Sequence, residues 1–128
     1  MLLNGSVRPV VLFIVIATAL QLTGASRAEA ALGCLSGSLK SMLRQIETRF
    51  GNVRVISTFR KNARIAGSVR RSYHASCRAV DFHPPKGKYS AVVGYLKRNF
   101  NGGIGTYHCN MHHIHIDNGP RTRWRKCQ

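Results

Sequence analysis

The spacing of hydrophobic positions changes several times along this chain, and each change predicts a new element. Over residues 35–50, apolar side chains recur three or four positions apart, which predicts an amphipathic helix. A second helix is expected over residues 88–100. Short β-branched or alternating stretches predict four strands, over residues 53–57, 78–83, 103–107 and 113–117.

These elements do not alternate regularly, so the pattern favours an α+β domain with a small, mostly antiparallel sheet and about two flanking helices. Residues 58–72 carry many arginines without periodicity and are expected to form a long functional loop. The segment after residue 117 is interpreted as a basic tail.

The N-terminus has the three parts of a secretory signal peptide. Arg8 precedes an apolar run over residues 10–20, and Ala28 and Ala30 form an A-x-A cleavage pattern. We therefore expect a signal peptide over residues 1–30, a single mature domain over residues 31–128, and a periplasmic or secreted location. An uncleaved membrane anchor is the alternative, although the run is shorter than the roughly 20 residues that span a bilayer.

An even number of cysteines in an exported chain predicts two disulfides. Cys77 and Cys109 both flank histidine-rich motifs, so we expect them to pair, and Cys34 would then pair with Cys127. A zinc-thiolate site is the rival interpretation, but no C-x-x-C spacing supports it.

The chain is strongly basic, with a formal net charge of +16. Removing Arg8, Arg27 and Glu29 with the signal peptide leaves 16 − 2 + 1 = +15. Such a surface attracts polyanions, and export favours anionic lipid or wall polymer over nucleic acid. The alternative is that the charge only keeps the protein soluble.

Alternation along two predicted strands places imidazole and carboxylate side chains on one face of each strand. His113, His115 and Asp117 share one side of their strand, while the two intervening isoleucines point to the other. In the earlier strand, Asp81 lies opposite its apolar neighbours in the same way. The sequence therefore predicts imidazoles and carboxylates facing a cleft.

Two neutral imidazoles and one carboxylate suit zinc, because they fill three tetrahedral corners and leave the fourth for water. The spacing alone does not decide between His74 and His83, or between His115 and His112. Polar surface with adventitious metal binding is the alternative.

The stretches "SYHASCRAVDF" and "HIHID" resemble the paired S-x-H-x-x-G-x-A-x-D and H-x-H motifs of the D-Ala-D-Ala (M15-type) zinc peptidases, and "HIDNGPRTRW" is similar to their small exported bacterial branch. The resemblance covers roughly residues 50–124 and implies the architecture shared by D-Ala-D-Ala peptidases and hedgehog domains.

The resemblance implies that the zinc ligands are His74, Asp81 and His115. It also implies that His113 lies beside the metal, where it orients water or stabilises the oxyanion. Arg60 would contact the substrate carbonyl or terminal carboxylate, and Ser72 would hydrogen-bond the substrate.

The chain departs from the family pattern at two places. Cys77 replaces the motif glycine, and no acidic residue precedes the last ligand, where several family members carry the general base. A histidine, first His113 and then His108 or His112, would have to do that work.

Several residues in or near the motifs have a second interpretation. Asp117 either fixes a histidine tautomer or caps the following turn, and the turn is slightly favoured. Trp124 is either core or a sugar-stacking platform. His83 is expected at the surface, and a structural ion-pair role is the alternative for both Asp81 and Arg60.

These features predict an exported zinc peptidase that hydrolyses bonds next to D-amino acids in peptidoglycan, as a carboxypeptidase or endopeptidase. Its partners would be peptidoglycan peptides or another anionic wall polymer, with neither nucleic acid nor a lasting membrane span expected. A non-catalytic, zinc-stabilised cationic module is the alternative. A metal-free cationic protein that damages membranes or binds nucleic acid would leave the histidine and aspartate pattern unexplained.

Overall fold

A computed structural model describes residues 32–127. The predicted signal peptide and the boundary at Ala31 lie outside these residues. The described elements in chain order are helix α1 (Gly37–Phe50), strand β1 (Arg54–Ser57), a 3-10 helix (Tyr73–Ser76), strand β2 (Ala79–His83), helix α2 (Tyr89–Asn99), and strands β3 (Gly103–His108), β4 (Ile114–Asp117) and β5 (Arg123–Cys127).

Helix α1 begins and ends where local chemistry favours it. Ser36 occupies the N-cap, and its side chain accepts a hydrogen bond from the Leu39 amide. At the C-terminal end, Gly51 takes a φ of 106° and its amide donates to the carbonyl of Glu47. The apolar stripe of the helix is buried, as its spacing predicts.

The five strands form one sheet in the order β1-β2-β4-β3-β5. Three neighbouring pairs are antiparallel, and β3 pairs with β5 in parallel. The fold class is therefore the predicted α+β with a mostly antiparallel sheet. No helix within residues 32–127 is long and apolar enough to cross a membrane.

One face of the sheet packs on both helices. Val80 and Phe82 of β2, together with Ile114 and Ile116 of β4, are fully buried in the cluster that also contains the apolar residues of α1 and α2. Because strand side chains alternate, the residues between them point to the opposite face. This leaves Asp81, His115 and Asp117 on the face without helices.

Two parts of the chain differ from the sequence-based expectation. The segment interpreted as a basic tail contains strand β5, whose backbone pairs with β3 from Arg123 to Cys127. The loop over residues 58–72 contains a small hairpin, and the 3-10 helix follows it. Neither segment has an alternating apolar pattern, because each presents mainly charged or polar side chains.

The predicted cysteine pairing is wrong. The disulfides join Cys34 to Cys77 and Cys109 to Cys127. Strands β2 and β3 both run antiparallel to β4 and so run in the same direction. Cys77 precedes β2 whereas Cys109 follows β3, which puts them at opposite ends of the sheet. Cys127 ends β5, parallel to β3, and therefore lies at the same end as Cys109.

The structure also explains how Cys77 can occupy the position where the family motif has glycine. This residue follows the 3-10 helix with a φ of 57°, in the left-handed region that favours glycine. A side chain there costs about 1 kcal/mol. The disulfide with Cys34 closes a separation of 43 residues, and a loop of that size stabilises a fold by about 3 to 4 kcal/mol, which outweighs the backbone cost.

We expect the double substitution Cys34→Ala, Cys77→Ala to lower the free energy of unfolding by about 3 to 4 kcal/mol. The matched pair Cys34→Ala, Cys77→Gly should be more stable than this by about 1 kcal/mol, because glycine removes the left-handed strain. Urea unfolding followed by circular dichroism measures both. Equal stability of the two double variants would contradict this account of Cys77.

Candidate metal centre

Three buried side chains converge on the face of the sheet opposite α1 and α2. His74 Nε2 lies 3.1 Å from Asp81 Oδ2, and His115 Nδ1 lies 2.8 Å from Asp81 Oδ1. The two imidazole nitrogens are 3.2 Å apart. One ligand atom from each residue lies within 4.8 Å of the others, so the three can share a single metal ion.

The backbone brings these residues together from distant parts of the chain. Asp81 on β2 and His115 on β4 are direct cross-strand partners. His74 comes from the 3-10 helix that leads into β2, and the Ser72 side chain caps that helix by accepting a hydrogen bond from the His74 amide. Each ligand candidate is thus held by backbone hydrogen bonding rather than by a free loop.

The outer nitrogen of each imidazole has an oxygen partner that fixes its tautomer. His74 Nδ1 lies 2.6 Å from the carbonyl oxygen of Thr58 and can only donate to it. His115 Nε2 lies 3.0 Å from Asp117 Oδ2 and donates in the same way. The inner nitrogens, His74 Nε2 and His115 Nδ1, are then free to present lone pairs to a metal.

Asp117 fulfils both roles that the sequence left open. Its Oδ2 contacts His115 as described, while its Oδ1 accepts a 2.7 Å hydrogen bond from the amide of Gly119 in the following turn. The turn role slightly favoured from the sequence is therefore correct but incomplete. One carboxylate links the turn to the metal-facing imidazole.

The carboxylates and imidazoles shift each other's protonation. Burial would raise the pKa of Asp81, but hydrogen bonds from His115 and His74 outweigh it and hold that pKa well below its usual range. Burial likewise acts to lower the pKa of His115, yet hydrogen bonds to Asp117 and Asp81 prevail and raise it. Without metal, Asp81 is ionised and His115 favours the protonated form.

The donor set fits a borderline metal such as zinc. Two imidazoles and one carboxylate make a three-ligand site, which leaves a coordination position open to water or substrate. Within residues 32–127 every fully buried side-chain nitrogen or oxygen has a hydrogen-bond partner, so the site is preformed by its own contacts. Binding a metal requires His115 to lose one proton.

His113 immediately precedes β4 and lies two residues before His115. It is buried, and its ring stacks on Tyr107 with centroids 4.0 Å apart. Burial is the largest effect on its protonation and, with the charges of His83 and His115, lowers the pKa of this imidazole despite the opposing charge of Asp81. His113 is therefore neutral near pH 7 and can accept a proton.

Tyr107, which sequence analysis missed, and Trp124 are aromatic residues that contact the histidines of this site. The Trp124 indole lies 5.1 Å from the His115 ring, and the Tyr107 ring stacks on His113. Gly105 makes room for the indole, because a Cβ there would come within 2.4 Å of it. The cross-strand register of β3 and β5, which no local pattern reveals, creates this contact.

Arg60 and Ser72 lie at the edge of the triad. Arg60 Nη2 is 3.7 Å from Asp81 Oδ2, and the side chain is 55% exposed, so the guanidinium can also reach a bound molecule. The Ser72 hydroxyl accepts from the His74 amide, which leaves its O–H able to donate. Their contact with a substrate stays a prediction.

The other histidines lie outside the triad. His83 ends β2, and its Nδ1 is 3.3 Å from the carbonyl oxygen of His112. His112 and His108 each pack edge-on against Tyr89 instead. His83 and His112, the alternatives that spacing left open, are therefore not members of the cluster whose ligand atoms lie within 4.8 Å of one another.

This arrangement is that of a candidate metal site with three ligands. The chain matches the peptidase M15 family over residues 16–117, and it therefore belongs to that family of metal-dependent peptidases. Comparisons with curated proteins and with solved structures found no match.

We expect Asp117→Asn to weaken zinc binding about 10- to 100-fold, because it removes the charged partner that orients the His115 imidazole. Competition with a chromophoric chelator measures the affinity. Glu47→Gln is the matched control, since it makes the same change at the one acidic residue of residues 32–127 that lies outside the site and retains an oxygen for the Val53 amide. An unchanged affinity in Asp117→Asn would contradict the proposed orientation.

Zinc affinity should also rise with pH. The pKa of His115 is raised above the usual 6.5, so a metal must displace its proton at any pH below that raised pKa. Affinity should fall about tenfold per pH unit below that pKa and level off above it. Asp81 adds no further step, because its pKa is far lower.

The same chelator titration at a series of pH values tests this dependence. In Asp117→Asn the rise should occur at lower pH, because one of the hydrogen bonds that raise the pKa of His115 is weakened. A wild-type affinity that does not change with pH would show that no proton is displaced.

Proposed function

We propose that this protein is an exported zinc metallopeptidase that hydrolyses peptide bonds next to D-amino acids in peptidoglycan. The observation that carries the proposal is the convergence of His74, Asp81 and His115, with both imidazole lone pairs directed inward, in a chain of the M15 family. The finer statements, on the metal and on the substrate, rest on the chemistry of the residues around that triad.

In this proposal the triad holds one Zn²⁺. The ion supplies Lewis-acid activation of water and of the scissile carbonyl. The chain itself would hold the ligands in place, because Asp117 and the Thr58 carbonyl keep both imidazoles in the correct tautomer.

His113 is the proposed proton-transfer residue. It shares the strand face of His115, and stacking on Tyr107 fixes the orientation of its ring. A positioned imidazole can take a proton from the attacking water and return it to the leaving amine. This role would replace the acidic residue that several family members carry before the last ligand.

Arg60 and Ser72 are the proposed substrate contacts. The exposed guanidinium can form a bidentate pair with a substrate carboxylate, such as the free C-terminus of a wall peptide. Ser72 can donate its hydroxyl to a neighbouring amide carbonyl. The cationic surface is suited to an anionic wall, and the two disulfides are compatible with an extracytoplasmic protein.

One observation favours the alternative of a non-catalytic, zinc-stabilised module. Among residues 32–127 the acidic side chains are Glu47, Asp81 and Asp117. Both aspartates are engaged with histidines, and Glu47 accepts from the Val53 amide. No free carboxylate in this part of the chain is therefore available as general base, and catalysis depends on His113.

Zinc-loaded protein should release D-alanine from a pentapeptide muropeptide or cleave a cross-linked dimer, as followed by liquid chromatography with mass detection. His113→Ala should lower kcat about 10²- to 10⁴-fold, the usual contribution of a general acid–base group. Its zinc affinity should stay close to that of the wild type, because His113 is not a proposed ligand.

His108→Ala is the matched control, since it removes a histidine outside the triad and should keep wild-type activity. Wild-type protein with saturating zinc that yields no product from either substrate would favour the non-catalytic module. Full activity in His113→Ala would instead retain the peptidase and refute the proposed base.

A further inference from the structure

The exposed large apolar side chains of residues 32–127 all lie in one short stretch. They are Ile56, Phe59, Ile65 and Val69. Val69 is the extreme case, with 83% of its surface exposed. Elsewhere in the described chain, large apolar residues are at least partly covered, so this stretch is the exception that needs a physical reason.

The second half of this stretch is an ordered hairpin, which we define as residues 63–72. The Ile65 amide donates to the Arg70 carbonyl at 2.9 Å, and the Ser68 amide donates to the Ile65 carbonyl at 2.9 Å. Gly67 supplies the left-handed φ of 75° that the turn requires. The backbone therefore holds Ile65 and Val69 at the tip of a defined protrusion.

Cations surround this apolar tip. The Arg64 guanidinium crosses the hairpin and donates to the Val69 carbonyl, and the backbones of Arg64 and Arg71 form a bridge at the base. Arg70 adds a third exposed charge. The sequence has no acidic residue between positions 48 and 80, and no ion pair among residues 32–127 involves Arg64, Arg70 or Arg71.

We propose that the hairpin docks the protein on an anionic lipid surface, with Ile65 and Val69 entering the interface and the arginines contacting headgroup phosphates. A bilayer interface offers both an apolar phase and negative charge. A soluble polyanion would pair with the arginines but leave the apolar tip in water. A second copy of the chain would bring like charges together.

The hairpin shares its base with the metal centre. The Ser72 amide closes the hairpin on the Ala63 carbonyl at 2.9 Å, while the Ser72 side chain caps the helix of His74. The Arg60 amide donates to the His74 carbonyl at 3.1 Å. Docking through the tip would therefore fix the orientation of the site relative to the membrane. Membrane docking does not require that the metal centre be catalytically active.

Co-sedimentation of residues 31–128 with vesicles tests the proposal. The vesicles are equal parts phosphatidylcholine and phosphatidylglycerol, or phosphatidylcholine alone. The wild type should bind the anionic vesicles more tightly. Ile65→Ser, Val69→Ser should weaken that binding about tenfold or more, because both side chains leave the interface. Arg70→Gln should weaken it about fivefold.

Arg98→Gln is the matched control, because it removes an exposed charge from α2, outside the hairpin, and it should bind like the wild type. Circular dichroism checks that each variant is folded. Three results would overturn the proposal: no wild-type binding to anionic vesicles, equal loss in Arg70→Gln and Arg98→Gln, or wild-type binding by the double serine variant. The last result would show that charge alone accounts for the binding and that the apolar tip does not enter the interface.

Discussion

The register between β2 and β4 is the constraint on which the rest of the structure depends. Four apolar side chains, Val80 and Phe82 on one strand and Ile114 and Ile116 on the other, are fully buried against the helices. A shift of one residue in either strand would expose its pair and bury the intervening polar groups. The hydrophobic core therefore also aligns Asp81 with His115, so that folding and assembly of the site are one event.

This constraint has an electrostatic consequence in a chain of net charge +16. Two of the three acidic residues within residues 32–127 lie in the site, and both are buried among imidazoles. Burying a carboxylate without partners would be costly. Here the histidines provide those partners, and a metal ion would replace the proton that His115 holds. The contacts that satisfy the buried carboxylates therefore also hold the ligand atoms close enough to share a metal ion.

Periodicity predicted the strand faces well, because alternation is a local property that burial enforces. It could not predict which strands pair, and this decides the ligand set. His83 lies on the same strand face as Asp81, yet the register puts Asp81, not His83, opposite His115. The prediction of the disulfide pairing failed for the same reason, since the pairing depends on strand direction in the sheet. Strand β5 was missed because it pairs through its backbone and presents a single large apolar residue, Trp124.

Two glycines near the site are explained by contacts with a residue elsewhere in the fold and not only by the turns beside them. Gly103 and Gly119 stand beside turns, which is their usual interpretation in a sequence. In the fold, a Cβ on Gly103 would lie 2.4 Å from Asp117 Oδ2, and a Cβ on Gly119 would lie 2.7 Å from Asp117 Oδ1. Both residues leave space for the one carboxylate that orients His115. The lack of a side chain at these glycines therefore serves the metal centre as well as the turns. The sheet register is needed to see this, because the sequence alone does not place the glycines beside Asp117.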